Sequence, residues 1–275
     1  MIKNILRWGL ILTGLGLSSF FVVHGQIGIS ALSVDVNLPP GGSFTGAFEV
    51  INSSDQPREF TVELKDYDRN IEGGLVLLNL GTHPRSLAKF LSFTPAQFAL
   101  APKQKQLITF KIEIPATERG PHWAALTVTS PAPSSGAQPP PPPPGQQPSI
   151  PVSIGTAEQF IVKIRHTDPT NAVNRGRIVS VQALPSERDK PLRIVVEYEN
   201  TGTTFQMAKT QLRIINAKGE VVVQKKAEDM AMLPGGKHRL EIPVTERLPS
   251  GTYLALVIID FGGDFLVAGQ VRFQI

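Results

Sequence analysis

From residue 26 onward, apolar and polar residues alternate along the chain in short runs. The clearest are FTVEL (60–64), LITFKIEI (107–114), LRIVVEYE (192–199), QLRIIN (211–216), VVVQ (221–224) and TYLALVIID (252–260). Alternation of period two, rich in β-branched residues, sends successive side chains to opposite faces and marks half-buried strands. Gly, Pro, Asn and Asp separate the runs, and no long stretch carries an apolar stripe at helical spacing between caps. Short strands with frequent turn signals predict β-sandwiches in preference to an α/β fold.

The two halves of the chain repeat the same markers in the same order. The first reads FEVINSSDQ, then FALAPKQKQLITFKIEIP, then ERGPHWAALTV; the second reads VEYENTGTT, then AMLPGGKHRLEIPV, then RLPSGTYLALVI. Each half has a strand ending at an Asn turn (Asn52, Asn200) and a Pro-marked turn (Pro102, Pro234) before an alternating strand. Each then has a Gly turn (Gly120, Gly251) feeding a strand that opens on an aromatic, Trp123 or Tyr253. Two copies are too few for a solenoid, so the repeat predicts two tandem domains of one architecture. The first half holds more residues between its Asn and Pro markers, KDYDRNIEGGLVLLNLGTHPRSLAKFLSFTP, which predict an additional hairpin and strand.

Between the halves lies GAQPPPPPPGQQPSIPVSIG (136–155). At HWAALTVTS the first half has reached only the penultimate strand of an immunoglobulin-like sheet. The segment PSIPVSIGTAEQFIVKIRHT supplies the last strand, from about Ile150 to Thr167. The Pro-rich stretch 131–149 is then a loop inside the first domain, read as a stiff extended spacer. The link between domains is DPTNAVNRG (168–176).

Composition narrows the setting. Lys3 and Arg7 precede an uncharged apolar run from Trp8 to Val23, the layout of a secretory signal peptide over residues 1–25. A retained anchor is the alternative, the run being only slightly shorter than the roughly 20 residues of a membrane span. Without Lys3 and Arg7 the chain has 25 basic and 23 acidic residues, too even a balance for a nucleic-acid surface. It has no cysteine, so neither a disulfide nor a thiolate metal site is available, and exported domains must rely on their apolar cores.

Few residues suggest chemistry. His24, His83, His122, His166 and His238 are scattered, without zinc-ligand spacing. Asp66, Asp68 and Asn70 match the first spacings of a calcium loop, but Ile71 and Leu77 stand where Gly and Glu are needed, so they read as a solvated strand end. No nucleophile motif, P-loop or dinucleotide fingerprint is present. A non-enzymatic protein without cofactor or metal is expected. Trp123 reads as sandwich packing, with an exposed binding role as the minor option. Arg85 is either a partner for a hairpin carboxylate or a surface arginine.

These residues resemble a known family. FEVINSSDQP, LSFTPAQFALAPKQKQLITFKI and FIVKIRHTDP, in a cysteine-free two-domain chain with a long loop before the first domain's last strand, resemble the periplasmic pilus chaperones of the chaperone–usher pathway. The resemblance covers Ile29 to about Pro169 in sequence; over 177–275 it is one of architecture. It implies that the last strand of the first domain pairs with an incomplete subunit sandwich, with alternating Ile150, Val152 and Ile154 filling pockets. It also implies a basic pair in the interdomain cleft that holds the subunit's C-terminal carboxylate. The lysine of that pair maps to Lys163. The arginine maps near Val36, where LSVDVNLPP has no basic residue, and Arg165, on the same face as Lys163, is the candidate substitute. Lys163 and Arg165 also admit a second reading, as charges that keep a strand edge from aggregating. The stretch GTHPRSLAKFLSFTPAQFALAPKQKQLITFKIEIPATERGPHWAAL is similar as well to the first domain of secreted, cell-wall-associated bacterial proteins.

The expectation is therefore an all-β chain of two tandem immunoglobulin-like β-sandwich domains, 26–167 and 168–275, behind a signal peptide at 1–25. The expected function is chaperone-like: binding exported, pilin-like subunits or other envelope proteins in the periplasm or cell envelope. The alternative is a structural cell-surface or wall-binding module. Neither nucleic acid nor a small-molecule substrate is an expected partner.

Overall fold

The computed structural model describes residues 27–131, 157–187 and 189–275. Ten strands build the first sandwich: β1 (Ile27–Ile29), β2 (Ser33–Asn37), β3 (Ser43–Asn52), β4 (Arg58–Arg69), β5 (Leu75–Leu78), β6 (Leu91–Thr94), β7 (Gln97–Leu100), β8 (Lys105–Glu113), β9 (His122–Ser130) and β10 (Glu158–Thr167). Eight build the second: β11 (Gly176–Leu184), β12 (Leu192–Asn200), β13 (Gln206–Asn216), β14 (Val221–Lys226), β15 (Met230–Met232), β16 (Lys237–Val244), β17 (Thr252–Asp260) and β18 (Val267–Gln274). The fold is all-β, with two immunoglobulin-like sandwiches in series.

In the first sandwich one sheet runs β1-β3-β8-β6, and the facing sheet runs β2-β10-β9-β4-β5, with β7 also paired to β4. The opening stretch of the chain thus changes sheets: β1 pairs antiparallel with β3, and β2 crosses over to lie parallel to β10. Alternation sets which side chains face inward. Phe48, Val50, Ile108, Phe110 and Ile112 from one sheet meet Phe60, Val62, Leu126, Val128, Val162 and Ile164 from the other, all buried. At Gly46 a Cβ would lie 2.5 Å from the Phe110 ring and 2.7 Å from Phe44, so the aromatic packing there requires glycine. The added hairpin is formed by the end of β4 and β5, pairing Asp66–Arg69 with Leu75–Leu78.

The second sandwich has a sheet β11-β12-β16 facing β14-β13-β17-β18, with β15 on β13. Its core contains Ile194, Val196, Tyr198, Leu212, Ile214, Ala255, Val257 and Ile259. The Tyr253 hydroxyl donates to the Pro249 carbonyl at 2.8 Å, a tyrosine corner that ties the start of β17 to the preceding turn.

The repeat markers have a shared structural role. The Asn52 side-chain amide donates to the carbonyls of Gln56, Leu100 and Ala101 at 2.8, 3.0 and 3.2 Å. The Asn200 amide donates to those of Thr204 and Leu233 at 2.8 and 3.2 Å. Each buried asparagine satisfies carbonyls of its own turn and of the Pro-marked turn beside it, groups that would otherwise be orphaned.

Ser130 at the end of β9 is directly opposite Glu158 at the start of β10. Residues 132–156 therefore connect two adjacent antiparallel strands of the first sandwich. That segment, with Ile150, Val152 and Ile154, lies outside the described residues, as do Met1–Gln26 with the apolar run at 8–23. Among the described residues no helix is long and apolar enough to cross a membrane.

Candidate strand-pairing edge and interdomain cleft

Strand β10 is paired with β9 along its length, from Glu158 to His166. On its other side β2 covers only Lys163 to Thr167. From Glu158 to Val162 that side has no strand beside it among the described residues. The Lys163 N–H donates to the Leu32 carbonyl and the Thr167 carbonyl accepts from Leu38 N–H, both at 3.1 Å, so odd-numbered residues aim their backbone groups at the β2 lane. With period two, the N–H and C=O of Gln159 and Ile161 point into the vacant continuation of that lane, whereas those of Phe160 and Val162 point to β9. Among the described residues this is an unfilled hydrogen-bonding edge.

Side chains divide the same way. Phe160, Val162 and Ile164 join the core. Ile161, Lys163 and Arg165 project from the opposite face, toward the second sandwich. Lys163 and Arg165 lie under the cover of β2, so the segment that carries them is an interior lane of the sheet; the open edge is the preceding segment. Arg165 is held bidentately by Asp35 on β2, with Nε and one terminal nitrogen donating at 2.5 and 2.6 Å. Its guanidinium also lies 5.5 Å from the centre of the Phe205 ring.

Lys163 differs. Its ammonium has no hydrogen-bonding or ion-pair partner among the described residues. Burial, with the positive charges of Arg69 and Arg165, lowers its pKa from the usual lysine value, against the pull of Asp35. Arg69, at the end of β4, donates to the Gly73 carbonyl at 2.5 Å. Burial of the Tyr67 phenol raises its pKa, against the opposing fields of Arg165 and Arg69. The Tyr67 hydroxyl, also buried, makes no hydrogen bond among the described residues. Three cations and one carboxylate thus converge on the same flank of the sheet around an unused phenol donor. Beyond the Asp35–Arg165 pair this arrangement leaves two positive charges, Lys163 and Arg69, and suits a carboxylate ligand.

The cleft is bounded by contacts between the sandwiches. Trp123, Tyr67 and Ala125 pack with Leu233 and Phe205 of the second domain. The Trp123 and Phe205 rings meet edge to face at 5.6 Å, and the Trp123 indole donates to the Tyr67 carbonyl at 2.9 Å. Gly73, at φ +82°, lets the β4–β5 hairpin approach so closely that a Cβ would meet the His238 ring at 2.3 Å. The linker is fixed at its start by Asp168, whose carboxylate accepts from Gly120 N–H at 3.1 Å and from the N–H and hydroxyl of Thr170 at 2.9 and 2.6 Å. Beside it opens a cleft of about 560 Å3 lined by Asp35, Arg165, Thr167, Phe205 and Met207.

Three sequence readings change here. Trp123 packs on the outer face of its sheet, between the domains, rather than inside the sandwich, because the second domain covers that face. Asp66 is fully buried rather than solvated; it accepts from Ser86 Oγ at 2.5 Å and His83 N–H at 3.0 Å, so it pins the following loop to β4. Arg69 and Tyr67, absent from the expected site, stand in it because β4 lies next to β9. The unbroken apolar run WAAL (123–126) was the sequence signal for a strand covered on both faces. Among the described residues no group of three His, Asp or Glu side chains is placed to hold a metal ion.

No protein-family model matches the chain, and no match is found among curated proteins. Solved structures are similar in fold. The YadV chaperone is 13% identical, with 90% of this chain and 100% of that one covered at a TM-score of 0.45. The class 5 fimbriae chaperone CfaA is 12% identical, with 90% and 98% covered at 0.45. The CsuC–CsuE chaperone–tip adhesion subunit complex from archaic chaperone–usher Csu pili of Acinetobacter baumannii gives 9%, 92% and 97% covered, and 0.45. Fimbrial chaperones, the family the sequence resembles, thus stand among the structures of similar fold. At these identities and TM-scores the function has to be read from this chain's own geometry.

Proposed function

We propose that this chain is an exported, non-enzymatic, chaperone-like protein that binds exported or surface subunits of the pilin type by pairing a strand with β10. The observation that carries the reading is the lane beside Glu158–Val162, vacant among the described residues, which ends at Lys163, whose ammonium has no partner among them. A strand entering that lane would accept from and donate to Gln159 and Ile161, and β2 would stand at its end, beginning at Ser33. A C-terminal carboxylate meeting Lys163 requires the incoming chain to run from the Glu158 end toward Lys163, parallel to β10 as β2 is. Backbone pairing supplies affinity in this mode, and alternate side chains supply selectivity. Ile150, Val152 and Ile154, upstream on the same strand in the sequence reading, would extend the surface.

The carboxylate seat would consist of Lys163 with Arg69 and the Tyr67 hydroxyl, while Arg165 is retained by Asp35. A charge-assisted hydrogen bond there is worth about 1.5–3 kcal/mol. The test uses a synthetic peptide of alternating Val and Thr, about six residues long to span the open lane at ~3.3 Å per residue. It is prepared with a free and with an amidated C-terminus and titrated into the mature protein and its K163M variant. The expected result is weaker binding on amidation in the wild type, with no such difference in K163M. Equal binding of both peptides to the wild type would remove the carboxylate seat. Binding of neither, with retention instead on isolated wall polymer, would replace the chaperone reading by that of a wall-binding module.

A further inference from the structure

The base of the Pro-rich connection is closed by one buried arginine. Arg58, the first residue of β4, has a side chain only 2% exposed. Its Nε donates to Ser130 Oγ at 3.0 Å, one terminal nitrogen to Glu158 Oε1 at 3.1 Å, and the other to the Pro131 carbonyl at 3.2 Å. Ser130 and Pro131 are where β9 ends, and Glu158 is where β10 begins. Ser130 and Glu158 face each other at the end of the β9–β10 ladder, and the Arg58 side chain reaches both from β4, where its backbone pairs with Leu100 of β7. The next row inward is Val62, Val128 and Phe160, and Phe60, earlier on β4, is stacked on Phe98 at 5.1 Å.

We propose that Arg58 is a positioning residue for the open edge, fastening the start of β10 so that Gln159 and Ile161 are held in strand conformation beside their vacant lane. The argument is geometric. Among the described residues Glu158 has a neighbouring strand only at β9. A strand end held on one side frays, because the backbone entropy lost by each residue that stays ordered there is set against a single ladder. The planar guanidinium fork reaches both mouths of the connection at once, which an ammonium does not. A buried charge that loses its carboxylate also becomes unfavourable in itself, so the clasp favours the closed arrangement strongly. Deepening the edge-pairing reading, this gives the edge a template that is ordered before any partner arrives, which lowers the ordering cost of binding.

Hydrogen exchange of the full mature chain tests this with two separate readouts. Amides of Phe160 and Val162 face β9 and report on whether the strand end is fastened. Amides of Gln159 and Ile161 face the vacant lane and report on whether a strand is added. With no peptide present, R58M removes the three hydrogen bonds to Ser130, Glu158 and Pro131 and should raise exchange at Phe160 and Val162 by at least about 10- to 100-fold, leaving Ile108 and Phe110 on β8 unchanged. R58K should not rescue it. A merely structural role would raise exchange on β8 equally, and unchanged exchange at Phe160 and Val162 would overturn the proposal. If R58M does not fold, E158A takes its place, with the same local increase expected and the same flat result overturning the clasp. The alternating Val/Thr peptide is then added to the wild type. Absence of new protection at Gln159 and Ile161 would sink the edge-pairing reading and leave the clasp standing.

Discussion

Two adjacent residues of β10 differ in the direction of one N–H, and proline at each separates folding from binding. Ile161 N–H points into the vacant lane, so I161P removes a donor that the free protein does not use. Val162 N–H points to β9, and its side chain is fully buried. V162P therefore breaks a ladder bond inside the sheet and disturbs the core, at about 3 kcal/mol or more. For I161P the expected cost to the fold is about 1–1.5 kcal/mol, from the half-buried isoleucine side chain that packs beside Trp123 and Ala125. I161A shares that truncation and keeps the N–H, which makes it the control. A partner strand meeting I161P loses one backbone hydrogen bond and meets the proline ring in its lane, so peptide affinity should fall at least about tenfold below that of I161A. Urea unfolding and peptide titration on the three variants give both quantities. If I161P unfolds as easily as V162P, the assigned N–H directions are wrong. If I161P and I161A bind alike, the edge is not where the partner sits.

Other expectations concern the linker, the repeat and the histidines. D168A releases the acceptor of Gly120 and Thr170 and should cost about 1–2 kcal/mol; small-angle scattering should show a wider spread of domain arrangements, and an unchanged profile would assign that role elsewhere. N52A orphans three carbonyls and N200A two, so calorimetry should find the larger loss in N52A, each at roughly 1–3 kcal/mol per orphaned group and confined to its own domain's transition. His122 and His166, stacked at 5.6 Å and buried, both have pKa values lowered by burial; His166 and Arg85 add to this at His122, while Glu118 opposes it there and the Leu38 carbonyl and Asp168 oppose it at His166. Their folded pKa values are depressed below about 6.5, so the unfolded chain binds more protons below that value. The stability of the first domain should then be full above pH ~6.5 and fall as pH drops, at a limit of about 1.4 kcal/mol per pH unit for each proton, and H122Q/H166Q should flatten the slope.

The fold was legible wherever the determinant was local. Period-two runs located the strands later found as β4, β8, β12, β13, β14 and β17, because alternation is dictated by a strand with one face in a core. The Asn turns were legible as a repeat because a buried asparagine that satisfies turn carbonyls has few substitutes. Trp123 was assigned to the wrong face, since alternation says that two faces exist and not which is the inner one. The covering of Lys163 and Arg165 by β2 was not legible either. It depends on a parallel pairing between segments 130 residues apart in sequence, Asp35 and Arg165, with no turn or motif to announce it.

The cationic cluster shows the same limit and its physical reason. The resemblance noted in the sequence implies a basic residue on the opening strand, near Val36, where this chain has Asp35. That carboxylate faces Arg165 across the parallel β2–β10 ladder, so it neutralises the arginine that sequence spacing offered as the substitute. The cation left to act beside Lys163 comes from β4, two strands away across β9. Arg69 arrives there because the β4–β5 hairpin lengthens β4 beyond its pairing with β9, which ends at Lys65. The additional residues of the first half, read in sequence as an additional hairpin and strand, are thus what delivers Arg69 and Tyr67 to the cleft. A charge can reach one flank of a sheet from any strand that borders it, and only the sheet order tells which one does.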